Sequence, residues 1–151
     1  MKTLVVYDSL YGNTEKIAQA IGAALTGEVK VLRVGEVDPL ELKALNLLIV
    51  GSPTHGGRPS PAMREFLDKV QAPALQGINV AAFDTRHSSK LTVIFGYAAG
   101  RIAGTLKKKG GTLIVSPEGF LVTGTEGPLK EGEIERAARW AKEIVESSKS
   151  S

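Results

Sequence analysis

The chain has 151 residues, 42% hydrophobic and 23% charged, with 19 Lys+Arg against 16 Asp+Glu for a formal net charge of +3. That is the length of one domain with material for a sizeable core, and a positive excess too small and scattered for a nucleic-acid footprint. Zero cysteines exclude disulfides, thiolate metal sites and a cysteine nucleophile, and two histidines exclude a histidine-rich metal cluster.

The first element is the apolar run Leu4-Val5-Val6-Tyr7, a buried strand ending at Asp8-Ser9. Ile17, Ala20, Ile21, Ala24 and Leu25 then repeat at helical spacing, with Gly27 expected to close that helix. Val29 to Val34 alternates in part, as an edge strand does. Asp38-Pro39 opens a short helical turn, with Asp as N-cap and Pro at the first helical position. Leu45 to Val50 reads as a third strand, buried on both faces. A Pro- and Gly-rich loop follows, and Ser60-Pro61 starts a helix whose inner positions are Met63, Phe66, Leu67 and Val70.

Ile78 to Phe83 is the fourth strand, and 84–96 reads as a longer loop. Tyr97 to Lys109 forms a helix with Ile102, Ala103 and Leu106 inward, stopped by Gly110-Gly111. Within it, the spacing of Gly96, Gly100 and Gly104 points to close helix–sheet packing. Leu113-Ile114-Val115 begins a fifth strand that continues, interrupted by Pro117, through Phe120-Leu121-Val122. The last helix spans about Lys130 to Val145, and 147–151 reads as a frayed polar tail. No repeat and no linker divides the chain, and no apolar run is long enough to span a membrane. Strand-like residues begin at Thr3 where a secretory leader would have its apolar stretch, so the cytoplasm is the expected compartment.

Strands alternating with helices demand right-handed crossovers, hence a five-stranded parallel sheet with helices on both faces. Such a sheet binds ligands at the carboxyl ends of its strands. The loop after the first strand is Ser9-Leu10-Tyr11-Gly12-Asn13-Thr14. It ends where a helix begins, so free backbone N–H groups and the positive end of the helix dipole face it. Ser9, Asn13 and Thr14 add side-chain donors, and no Lys or Arg lies inside it. This suits a phosphate monoester. The same residues are also good helix caps, so the loop alone leaves both readings open.

With its flanking residues, Asp8-Ser9-Leu10-Tyr11-Gly12-Asn13-Thr14 resembles the FMN-phosphate loop of the flavodoxin family. Gly51-Ser52-Pro53-Thr54-His55-Gly56-Gly57 resembles that family's second flavin loop, shared with flavodoxin-like quinone reductases, and Asp84-Thr85-Arg86 falls at the third. The resemblance spans the chain and marks it as a short member, since no long insertion interrupts the fifth strand. It implies a flavodoxin-like three-layer sandwich that holds FMN without a covalent bond. Ser9, Leu10, Tyr11, Gly12, Asn13 and Thr14 would lie on the phosphate side. Pro53, Thr54, His55, Gly56 and Gly57, with Asp84, Thr85 and Arg86, would lie on the ring side. It further implies a peptide near Thr54–Gly57 that turns its carbonyl toward the flavin N5 and stabilises the neutral semiquinone.

Two departures from the family pattern stand out. Familiar flavodoxins are acidic and sandwich the ring between a Trp and a Tyr. Here the sole tryptophan, Trp140, sits on the last helix, far from these loops, where it packs or lies half exposed. Arg58 and Arg86 flank the expected ring position, either as charges that raise the potential or as solvated surface residues. His55 lies beside the ring edge or bonds within its own loop. The sequence contains no Gly-x-Gly-x-x-Gly, no P-loop and no Gly-x-Ser-x-Gly, so dinucleotide, nucleotide-triphosphate and hydrolase readings lack their motifs. The expected function is electron transfer between redox partner proteins, a reductase and an acceptor, by a monomer or homodimer. The alternative is a small NAD(P)H:quinone-type oxidoreductase using the same flavin.

Overall fold

The computed structural model describes residues 1–87 and 97–149. Its centre is a parallel sheet in the order β2-β1-β3-β4-β5. The strands are β1 (Lys2–Tyr7), β2 (Glu28–Arg33), β3 (Leu47–Pro53), β4 (Asn79–His87), β5 (Thr112–Leu113) and β6 (Glu118–Val122). β5 and β6 both pair with β4, one beyond the other, and together fill the fifth strand position. The break between them contains Pro117, which has no N–H to give a ladder. β2 is the edge strand its partial alternation announced.

Among the described residues four α-helices cover the sheet: α1 (Asn13–Ala24), α2 (Pro61–Lys69), α3 (Ala98–Lys108) and α4 (Glu133–Lys149). Alternate strand residues feed the two faces. Leu4, Val6, Leu48, Val50, Val80 and Ala82 pack with α2 and α3, and a 3₁₀ segment, Pro39–Ala44, closes that layer. Asp38 caps this segment, accepting from Leu40 N at 3.0 Å. On the other face, Val5, Tyr7, Ile49, Ala81 and Phe83 pack with α1 and α4. Trp140 is buried there, edge-on to Phe83 and Phe120 with ring centroids about 6 Å apart. The tryptophan therefore serves the core.

Boundaries and packing differ from expectation in several places. β3 runs from Leu47 to Pro53, so Ser52 and Pro53 belong to the strand rather than to the loop after it. β4 continues past Phe83 to His87, so Asp84, Thr85 and Arg86 are strand residues, not loop. Their polar side chains end the apolar pattern, but the backbone ladder persists because β3 lies on one side and β6 on the other; 88–96 lies outside the described residues. α1 ends at Ala24, and Gly27 instead turns the chain into β2. α4 begins at Glu133 and runs through Lys149, so 147–149 is helical rather than frayed. Gly100 and Gly104 face open space, and α3 packs through Ala98, Ala99, Ile102, Ala103 and Leu106 instead.

Candidate functional site

The β1–α1 loop is organised from within. Gly12, at φ +88°, precedes α1 without a side-chain cap of its own. Ser9 Oγ takes that role, accepting from Gly12 N at 3.1 Å and Glu15 N at 3.3 Å. Asn13 and Thr14 reach outward instead. Asn13 Nδ2 donates to the Glu126 carbonyl at 3.1 Å, and Thr14 Oγ1 shares a 2.8 Å hydrogen bond with Thr85 Oγ1. Ser9 therefore serves as the helix cap, and Asn13 and Thr14 tie the loop to its neighbours.

After β3, Thr54 N donates to the Thr85 carbonyl at 3.0 Å. His55 and Arg58 then exchange backbone hydrogen bonds at 2.7 and 3.0 Å, closing a two-residue hairpin. Its tip is Gly56-Gly57, with φ +54° and +79°. Positive φ at both central residues matches the twist of a tight hairpin and is closed to most other residues. Helix α3 holds this hairpin at two points. Arg101 Nε donates to the Gly57 carbonyl at 2.8 Å, and Ala98 N donates to Thr54 Oγ1 at 3.1 Å.

Asp84 lies beneath the site rather than in it. Its carboxylate is fully buried and accepts from Arg86 Nε and Nη2 at 2.7 and 2.8 Å, and from Ala99 N at 2.8 Å. It thereby places negative charge at the N-terminus of α3, where the helix dipole favours it. Arg86 also stacks on Tyr97, its Cζ 3.4 Å from the ring centroid. A Cβ at Gly119 would stand 2.1 Å from the same Cζ, so the glycine makes room for the guanidinium. Of the two alternatives read for Arg86, the solvated surface residue does not hold: the side chain is largely buried, and its charge is matched by Asp84. Arg58 is exposed and outside the cavity lining.

These segments enclose a cavity of about 440 Å³ at the carboxyl ends of β1, β3 and β4, within the range of roughly 300–1,000 Å³ usual for small-molecule sites. Every residue expected at the site lines it except Gly12, whose contribution is backbone shape, and Asp84. The lining also includes His87, Val122 and Thr125. Sequence reasoning missed Val122 and Thr125; the turn-rich run Thr123-Gly124-Thr125-Glu126-Gly127 directly after an apolar strand end was the available signal. The lining brings hydroxyl and amide side chains of the β1–α1 loop, from Ser9, Asn13 and Thr14, together with Pro53, His55, Val122 and the glycine pair Gly56-Gly57. Among the described residues there is no His, Asp and Glu cluster that would hold a metal ion, and no helix is long and apolar enough to cross a membrane.

Known proteins agree with this geometry. The sequence model of the family described as flavodoxin matches residues 5–140. A quinone-type NAD(P)H dehydrogenase from Methylocella silvestris is 35% identical over 124 residues, and the match covers 62% of this chain and 62% of that protein. The match thus spans less than two thirds of the relative's length. A flavodoxin from Aquifex aeolicus is 41% identical over 73 residues, 46% of this chain and 40% of the relative. The solved structure of a flavodoxin from the domain Archaea superimposes with a TM-score of 0.82 at 29% identity, covering 99% of both chains. Sequence and architecture converge: the chain belongs to the flavodoxin family.

Proposed function

We propose that the chain binds FMN non-covalently and passes electrons between redox partner proteins. Family membership supports a flavin and an electron-transfer role. The observation that carries the finer reading is the Gly56-Gly57 hairpin at the cavity, held by α3 through Arg101 and Thr54. Bound FMN supplies the electron chemistry, and the protein supplies binding, orientation and tuning. Ser9, Asn13 and Thr14, with the backbone of Leu10, Tyr11 and Gly12, hold the phosphate end. Pro53, Thr54, His55, Gly56 and Gly57 hold the ring end, with Thr85 and Arg86 as its floor and Asp84 fixing Arg86 in place. In the hairpin, Arg58 N–H engages the His55 carbonyl and Arg101 engages that of Gly57. Among the described residues the Gly56 carbonyl has no such donor, and it would be the one to accept a hydrogen bond from a bound ring.

A second reading is two-electron transfer from NAD(P)H to a quinone. It is favoured by the similarity to the Methylocella silvestris protein. It also fits an open cavity mouth, where Leu10 and Tyr11 are each 53% exposed and the sole tryptophan is spent in the core. Anaerobic stepwise reduction of the FMN-loaded protein separates the two. One-electron transfer predicts a long-wavelength absorbance band that rises and falls midway. Its absence, with rapid NADH- or NADPH-dependent reduction of a benzoquinone, would establish the second reading instead.

A further inference from the structure

The loop from Ser9 to Thr14 carries no basic residue, yet carboxylates flank it on both sides. Asp8 precedes it and is only 8% exposed, and Glu15 follows it in the first turn of α1. Among the described residues the cation that meets both is Arg33, at the end of the neighbouring strand β2. Its Nη1 donates to the Ser9 carbonyl at 2.9 Å and lies 3.8 Å from Asp8 Oδ1. Its Nη2 reaches Glu15 Oε1 at 3.3 Å. The guanidinium also lies over the Tyr7 ring, 5.3 Å from its centroid. On the far side, Asp8 Oδ2 accepts from Ser60 Oγ, the cap of α2. A third carboxylate, Glu36, accepts from the Arg33 backbone N–H at 3.0 Å.

We infer that Arg33 is the positioning residue that lets this loop accept a doubly charged phosphate ester, by pinning the Ser9 carbonyl and balancing Asp8 and Glu15. The inference rests on the reading of the cavity as an FMN site and adds the source of its preference for phosphate. A phosphate dianion set against the loop N–H groups sits close to two carboxylates. At a partly buried site that repulsion is not screened as it is in bulk water. A single guanidinium that meets both carboxylates offsets one of the two negative charges. It also fixes the main chain at the loop's first residue, which keeps the Ser9 hydroxyl among the Gly12 and Glu15 N–H groups. Arginine suits the task better than lysine, because a planar fork makes these contacts together and stacks on an aromatic ring.

The test compares FMN with riboflavin, the same ring system without the phosphate. Dissociation constants come from quenching of flavin fluorescence on wild type, Arg33→Gln, Arg33→Lys, Glu15→Gln and the Arg33→Gln/Glu15→Gln pair, with circular dichroism to confirm folding. Arg33→Gln is expected to weaken FMN by about tenfold or more and to leave riboflavin within about twofold, as loss of a nearby charge predicts. Arg33→Lys should fall between Arg33→Gln and wild type. Adding Glu15→Gln to Arg33→Gln should recover most of the lost FMN affinity, because one uncompensated carboxylate disappears. Should Arg33→Gln fail to fold, Glu15→Gln alone decides: the expectation is FMN binding about threefold tighter with riboflavin unchanged. Equal losses for both flavins, no loss, or no recovery in the pair would overturn the inference while leaving the FMN site intact. Failure of the wild-type protein to bind either flavin would overturn the site reading and the inference with it.

Discussion

At Gly119 a missing side chain decides where a charge sits. The Arg86 guanidinium fills the space a Cβ would occupy, and from there it grips the buried Asp84 carboxylate with two hydrogen bonds. Gly119→Ala should push Arg86 off its partner and strand a buried carboxylate. The expected loss is about 3–5 kcal/mol of stability, the usual consequence of breaking a buried pair, read by urea unfolding. A loss below roughly 1 kcal/mol would show that Arg86 shifts and keeps its partner. At this scale the run Ser9 to Thr14 was legible as a loop between strand and helix that lines the cavity, because its residue types end the apolar pattern of β1. The division of labour within it was not, since Asn13 bonds Glu126 and Thr14 bonds Thr85, 113 and 71 positions away. The roles of Asp84 and Arg86 were hidden for the same reason: the polar run Asp84-Thr85-Arg86 reads as a loop, and pairing with β3 and β6 makes it strand.

Helix α3 shows how elements depend on one another. Its N-cap residue, Tyr97, supplies no capping side chain. The exposed N–H groups are met instead by Thr54 from the end of β3 and Asp84 from β4. Thr54→Val should therefore cost about 1 kcal/mol, as loss of a helix cap does, although residue 54 is not in the helix. Arg101→Ala acts in the reverse direction, from helix to hairpin. It should raise the hydrogen-exchange rate of the Arg58 N–H by about tenfold or more, since local opening costs less once an anchor is gone. An unchanged rate would show that the turn is held by its own glycines alone. Patterns confined to one element were readable in advance, including Ser60-Pro61 opening α2, Asp38 capping the 3₁₀ segment and Pro117 dividing the fifth strand position. Caps supplied from another strand leave no local trace. Nor does a small-residue spacing reveal which side of a helix it faces, as Gly100 and Gly104 show.

Across the whole molecule, alternation of strand and helix was enough to specify a parallel sheet covered on both faces, because right-handed crossovers leave little else. Its closing layer depends on a polar link. Glu133, at the start of α4, accepts from Leu121 N at 2.7 Å and from Arg136, which also bonds Glu118 and the Gly119 carbonyl. The hydrogen bonds from Arg136 hold the Glu133 carboxyl below its ordinary value against the opposing effect of burial, with the Leu121 N–H adding to them. A carboxyl lowered in the folded state contributes stability that is fully present above its unfolded value. That contribution is lost as pH falls through the folded value. Glu133→Gln should thus lower stability at neutral pH by about 1–3 kcal/mol, as for hydrogen bonds to a charged group. The deficit against wild type should shrink in acid. Paired thermal melts across the acid range check this, and a pH-independent deficit would show that the shape of the side chain matters rather than its charge.

The central claim, that the Ser9–Thr14 and Pro53–Gly57 segments and the end of β4 form an FMN site at the carboxyl end of the sheet, is tested most directly by titrating FMN with the purified chain and following flavin fluorescence. The geometry predicts quenching that saturates at one FMN per chain and is weakened when Thr14, at the phosphate end, is replaced by valine. Fluorescence that stays unchanged in the presence of excess folded protein would contradict it.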